Sequence, residues 1–309
     1  MSETIREIQQ PGDYCYTYSP FYDPIAEVET GEKVVIYTVD AFENKLNTPE
    51  DKASKLCKFP FVNPQTGPLF ISGAEPGDTL SVIIHNIEPD REYAITALIP
   101  KFGGLTGTSS TAMLNDPLPE ETKVLPIRDG QVIFNDDIHI PYEPFMGTMG
   151  VAPEIEAINC LTPSYYGGNM DCVETAPGNE VQFPVFIEGA HFFTGDGHAT
   201  QGDGEITGVA CEIPTKVTLS FEVIKGKKIG WPRIVSDEFI MVAGSARPLD
   251  DAVRIACVEL IDWMVSDYGF EKLEAYHLIG QVMQMRLGNM VDPNYTAVAK
   301  MPRRYLPGN

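Results

Sequence analysis

Basic residues are scarce in this sequence. Lys and Arg number 22 against 44 Asp and Glu, a formal net charge of -22. A surface of that sign repels phosphate backbones, so nucleic acid is excluded as a partner. Anionic substrates and anionic membranes are disfavoured for the same reason, whereas metal cations are attracted and small neutral molecules are unaffected. No apolar run approaches the roughly 20 residues that a membrane-crossing helix needs. The opening Met1-Ser-Glu-Thr-Ile-Arg-Glu-Ile lacks the basic and apolar regions of a signal peptide, so a cytoplasmic location is expected. Cys15, Cys57, Cys160, Cys172, Cys211 and Cys257 form no CxxC pair, which favours free thiols over bridges or a zinc knot. There is no Walker A sequence, no GxSxG elbow and no internal repeat. The Gly-x-Gly patterns precede no long amphipathic helix, so a dinucleotide site fails its context test.

What is present is enough apolar material for a core, 43% of residues. Its period is mostly two. Residues 31–40 and 79–88 read as strands, the second with Leu80, Val82 and Ile84 on one face and Ser81, Ile83 and His85 on the other. Asp129-Gly130 is a hairpin signal between two short strands. Residues 206–212 and 216–224 alternate again. Helical spacing appears only late, from Leu249 to a stop at Tyr268-Gly269, and again from Glu271 to Leu287, where Tyr276, Met283 and Met285 are expected to pack. The expected fold is mainly β, sandwich- or barrel-like, with a C-terminal α+β segment carrying two helices. The expected divisions are an N-terminal, mainly-β region over residues 1–150, a central β region over residues 151–245 that holds the site, and a C-terminal helical region over residues 246–309. Residues 101–110, rich in Gly and Thr, are expected to form a mobile loop over a site.

The chemistry concentrates between Tyr166 and Gly208. Asn169, Asp171, His191, Asp196, His198, Gln201, Asp203 and Glu205 lie there among nine glycines. Glycine disfavours helix and permits close backbone approach, so this stretch is expected to be a loop held near a ligand. His85, alone on its strand, is a weaker candidate.

Several runs resemble the acetamidase/formamidase family: Thr66-Gly-Pro68, Gly73-Ala-Glu-Pro-Gly-Asp78, Pro144-Phe-Met-Gly-Thr-Met-Gly-Val-Ala-Pro153, Gly167-Gly-Asn-Met-Asp171, Pro184-Val185, Gly195 to Glu205, Glu274-Ala-Tyr276 and Val291-Asp-Pro293. The run 195–205 is the most specific. The resemblance implies hydrolysis of the C–N bond of formamide or acetamide to carboxylate and ammonia, a mainly β fold with an α+β end, and homo-oligomers, often dimers. Family members often carry a His- and Trp-containing segment near the N-terminus. Here Tyr14-Cys-Tyr-Thr-Tyr-Ser-Pro-Phe-Tyr-Asp23 has neither, so the family name does not by itself make acetamide the natural substrate.

Water is a poor nucleophile and an amide a poor electrophile, and a divalent ion corrects both. Asp196 and His198, two apart on an extended segment, point to one side and with Asp171 make a His-plus-carboxylate ligand set. Zinc is the expected ion, with calcium as the alternative. Glu205 is the expected general base, and Asn169 and Gln201 the expected donors to the oxyanion. Asp203 and Glu75 read as turn residues. Two other readings stand beside this one: a cysteine-nucleophile amidase using Cys172, and a non-catalytic β-domain that binds calcium or a small molecule.

Overall fold

The computed structural model describes residues 5–105 and 119–308. Of the loop expected at 101–110, residues 106–110 lie outside the described residues. The architecture is mostly β, with 40% strand and 13% helix. Two large sheets dominate. The first has nine strands in the order Arg6–Ile8, Lys33–Thr38, Thr215–Ile224, Thr79–Pro89, Glu180–Pro184, Arg233–Val235, Phe239–Ala246, Tyr295–Pro302 and Gln284–Leu287. It therefore draws on all three expected regions. The second sheet runs from the hairpin Glu121–Arg128 and Gln131–Ile133, through Tyr93–Leu98 and Glu212–Ile213, to Phe192–His198, Phe145–Val151 and Gly167–Asn169.

The alternation read from residues 79–88 holds. Leu80, Val82 and Ile84 are buried with Leu219, Phe221, Phe192 and Phe183 in one core, while Ile83 is half-buried and His85 exposed. His85 shares a hydrogen bond with the Ser220 hydroxyl at 2.8 Å on that outer face. The hairpin closes as Asp129-Gly130 dictates, with both residues at positive φ and Arg128 paired to Gln131.

The helix Leu249–Tyr268 ends at Gly269 in the left-handed conformation. It packs on Phe239–Ala246 and Tyr295–Pro302, burying Ala256, Leu260 and Met264. The second helix is shorter than its period suggests. It spans Lys272–Val282, and Gln284–Leu287 turns into an edge strand paired with Tyr295–Pro302. An open sheet edge offers those residues a full ladder of hydrogen bonds, which outweighs helical propensity. Met283 and Met285 pack as expected, but Tyr276 is 63% exposed.

Two further expectations are corrected. The run 206–212 is mostly irregular, with a turn at Ile206-Thr207 and strand only at Glu212–Ile213. The glycine-rich stretch is not a loop throughout: Phe192–His198 is a fully buried strand inside the second sheet, flanked by Phe145–Val151, Gln65–Ile71 and Glu212–Ile213. Its glycines make room for neighbours. A Cβ at Gly197 would lie 2.1 Å from the Thr215 methyl.

Candidate active site

The strand Phe192–His198 carries Asp196 and His198 into the interior, and its neighbours bring the rest. Glu212 sits directly across from His198 in the ladder. Asn169 and Asp171 arrive on the strand Gly167–Asn169 and the bend that follows it. Glu205 comes from the turn after the strand, and Asn63 and Asp292 from loops far apart in the sequence. All of these side chains are buried. Asn63, Asp171, Asp196 and Glu205 all have φ between 48° and 62°. Non-glycine residues held there store strain, which concentrates at functional sites.

Two groups whose side chains lie close enough to hold a metal ion share one imidazole. Asp171, His198 and Glu205 form one, and Asp196, His198 and Glu212 the other, each with its donor atoms within 4.8 Å of one another. The expected trio Asp171, Asp196 and His198 is thus brought together, with Glu205 beside it. The sequence reading missed Glu212, Asp292 and Asn63. A glutamate between Cys211 and Ile213 on a short alternating strand is the signal that could have found Glu212. Asp292 lay in a quoted family run without being given a role.

The protonation of His198 follows from its partners. The Gln201 side chain donates to the carbonyls of Asp171 at 3.1 Å and Gly288 at 3.0 Å, so its own oxygen faces His198 Nδ1 at 3.0 Å. Nδ1 must therefore be the donor in that contact. The opposite nitrogen, Nε2, lies 3.4 Å from Asp196 Oδ1 and 3.3 Å from Glu212 Oε2. Among the described residues Nε2, Asp171 Oδ1 and Glu212 Oε2 are buried without a hydrogen-bond partner. A lone pair aimed at two carboxylates repels them unless a proton or a metal cation lies between. The floor is shaped for such a guest. A Cβ on Gly147 would stand 2.7 Å from Asp171 Oδ1, 2.7 Å from Asp196 Oδ2 and 2.8 Å from the His198 ring. An imidazole fixed through its far nitrogen and ringed by carboxylates is an arrangement that suits a divalent ion.

The crowding of acids is visible in their acidities. Burial, then the Glu205 and Asp292 carboxylates, raise Asp171 well above the usual range. Burial also raises Glu205 strongly, and lifts Glu212 and Asp292 to about 7. Burial would raise Asp196 too, but the His198 imidazole more than offsets this and leaves it lowered. Burial alone would lower His198; Glu212 and Asp196 reverse this and raise it well above its ordinary value.

Asn169 is fully engaged. Its amide donates to Asp171 Oδ2 at 3.0 Å and Asp292 Oδ2 at 2.6 Å, and its oxygen accepts from Asn63 at 2.7 Å and from the Thr148 hydroxyl. Neither Asn169 nor Gln201 therefore holds a free N–H for a developing oxyanion, and both act as props for the acids and the imidazole.

Other candidates lie elsewhere. Asp203 is exposed and paired with Arg286, and Glu75 is exposed and bonded to Lys225 at 2.6 Å. His191 packs its ring on Phe70 at 6.2 Å, outside the acidic cluster. Cys172 is fully buried, its thiol pushed well above the normal range by burial and then by Glu174 and Asp171. A thiol so placed stays protonated and is a poor nucleophile. Cys172→Ala is expected to retain amide hydrolysis within about twofold; a loss of more than about a hundredfold with the fold intact by circular dichroism would restore the covalent route.

The cluster opens into a cavity of about 430 Å³ bordered by Asn63, Asn169, Asp196, Glu205, Glu212 and Asp292 together with apolar side chains. A larger cavity of about 640 Å³ meets the site only at Gln201 and Glu205. Among the described residues no helix is long and apolar enough to cross a membrane.

Comparison with known proteins gives the chain its relatives. A sequence profile of the acetamidase/formamidase family matches residues 6–161 and 155–306. The structure is similar to that of an acetamidase from Yersinia enterocolitica, with a TM-score of 0.93 and 44% identity over 98% of this chain and 93% of the other. It is also similar to a recombinant predicted acetamidase/formamidase from Thermoanaerobacter tengcongensis, with a TM-score of 0.88 and 34% identity over 97% and 96% of the two chains. A formamidase from Methylophilus methylotrophus is 24% identical across 95% of this chain and 89% of its own length. On the profile match across nearly the whole sequence, and on these relatives, the chain belongs to the acetamidase/formamidase family.

Proposed function

We propose that the buried His–carboxylate cluster holds a divalent metal ion and that the chain hydrolyses the C–N bond of short neutral carboxamides, formamide and acetamide among them, at that place. Membership of the family makes the chain a hydrolase of linear amides. The observation that supports the metal reading is that His198 Nε2, Asp171 Oδ1 and Glu212 Oε2 are all buried without a hydrogen-bond partner among the described residues, in two overlapping groups of His and carboxylates that could hold an ion.

Asp171, Asp196, His198 and Glu212 are the residues that would hold the ion. A ring nitrogen among carboxylates favours zinc over calcium, which takes oxygen ligands. When bound, a divalent ion lowers the pKa of a water to about 7 and polarises a carbonyl. Gln201 keeps the His198 tautomer, with Nε2 turned to the site. Asn169, held by Asn63 and Thr148, keeps the Asp171 and Asp292 carboxylates in place.

Glu205 borders the cavity, and among the described residues no hydrogen bond fixes its carboxylate. Burial raises its proton affinity above that of an ordinary glutamate, which suits a group that must take up a proton before giving it away. Glu205 takes a proton as water attacks the carbonyl carbon. It then gives that proton to the nitrogen, the C–N bond breaks, and ammonia and the carboxylic acid leave. The acidic cavity has no lysine or arginine in its described lining, which suits a neutral substrate. A cytoplasmic homodimer completes the proposal, supported by the expectations drawn from the sequence and checked by fractionation and sedimentation.

The deciding measurement is elemental analysis of the purified protein, with ammonia release from formamide and acetamide followed through chelation. One bound transition metal, loss of at least about a hundredfold on chelation and recovery with zinc are expected. Undiminished turnover by ion-free protein would end the metal reading.

A further inference from the structure

The cavity beside the cluster is far larger than the amides named above require. At about 430 Å³ it falls within the range of about 300–1,000 Å³ of pockets that take drug-sized ligands, whereas acetamide has only four non-hydrogen atoms. Much of its lining is apolar: Phe42, Val62, Ile99, Phe102, Leu161 and Val209. These come from separate stretches of the chain. Phe42, Ile99 and Val209 are buried in one cluster that Phe102 packs against. Of the polar lining residues, Asn63, Asn169, Asp196 and Asp292 are joined by hydrogen bonds, Glu205 and Glu212 belong to the same acidic cluster, and Ser54 stands apart from it. The cavity thus joins the acidic cluster, where the carboxamide would react, to hydrocarbon that a larger acyl group would meet.

Charge narrows the class further. With no lysine or arginine in the described lining, an acyl chain ending in a carboxylate would find acids, hydrocarbon and a few neutral polar groups but no counter-charge. Burying an unpaired charge against such a wall is costly. An apolar acyl chain instead gains from each methylene it removes from water, by an amount that corresponds to about fourfold in kcat/KM.

We infer that the substrates this chain prefers are primary carboxamides with a bulky, uncharged, apolar acyl group, branched or aromatic, rather than formamide or acetamide. The inference rests on the amide-hydrolase reading and specifies its substrate. The reaction is unchanged: the oxygen of water bonds to the carbonyl carbon, the C–N bond breaks, and a proton from water leaves with the nitrogen as ammonia.

The test is kcat/KM for ammonia release by the full-length, metal-loaded protein across formamide, acetamide, butyramide, isovaleramide and phenylacetamide, with succinamate as the anionic counterpart of butyramide. The expected result is a rise of about fourfold per added methylene, phenylacetamide at least about tenfold above acetamide, and succinamate at least about tenfold below butyramide. Leu161→Trp and Val209→Phe, which shrink the apolar end, are each expected to cut the phenylacetamide-to-acetamide ratio at least about tenfold, chiefly through KM. A ratio that ignores both wall substitutions overturns the inference. Turnover that peaks at formamide or acetamide and vanishes for phenylacetamide also overturns it and leaves the amidase reading intact. No ammonia from any amide removes both.

Discussion

Glu205→Gln is expected to leave a folded, metal-binding protein whose kcat for amide hydrolysis is lower by about 10²–10⁴. Glutamine keeps the size of the side chain, and the backbone at φ 48° is no more strained by it than by glutamate. What disappears is the ability to accept a proton from water and return it to nitrogen. Removal of a group used only in the transition state lowers kcat and kcat/KM together, with KM little changed. The pH profile offers a second readout: its limb belonging to the general base should vanish, while any limb from the cluster remains. Stability should hold or rise, because Glu205 is a buried acid set among Asp292, Glu212 and Asp196. A Glu205→Gln protein with near-native kcat would transfer the proton work to another acid, with Asp292, raised to about 7, the next to test.

Gly147→Val is expected to abolish metal binding and hydrolysis together. Gly147 is buried on the strand Phe145–Val151, and any Cβ there would press within 2.8 Å of two carboxylate oxygens and the His198 ring. Such separations lie below any ordinary contact, so Asp171, Asp196 and His198 would have to move apart. Overpacking of a rigid interior costs about 1–3 kcal/mol, which a chain of this size tolerates. Misplaced ligands cost far more function than stability, since catalytic groups must be held within about 0.5 Å. The checks are metal content and thermal midpoint measured on the same sample. Full metal loading in the variant would show that the ion sits elsewhere.

Much of this site was legible because strand chemistry is written locally. Asp196 and His198 are two apart on one short strand, which keeps them close even though Asp196 leaves the extended conformation at φ 58°. Asp171 and Glu205 were found from the coincidence of acids with glycines. The character of the stretch was misread, because glycine serves two ends that a sequence does not distinguish. It can permit a turn, as at Gly130, or clear room for a neighbour, as at Gly147 and Gly197. Glu212 was missed because its link to His198 is a ladder pairing between strands joined by an irregular turn, and register across such a turn is set by tertiary packing. Gln201 was seen, but as a donor to substrate; the carbonyls of Asp171 and Gly288 that claim its hydrogens lie far apart in the chain. The second helix ended early for a similar reason, since the sheet edge that captures Gln284–Leu287 is formed by residues that come later.

The cluster takes its members from Asn63 at one end to Asp292 at the other, with the Asn169 amide joining them at its centre. During synthesis this means that the cluster cannot close before Asp292 has left the ribosome, because until then the Asn169 amide lacks one of its two carboxylate acceptors. A proteolytic cut that separates Asn63 or Asp292 from the rest breaks the same chain of hydrogen bonds. Chains that stop short of Asp292 are therefore expected to leave the acids unassembled, whatever share of the two sheets they have already formed.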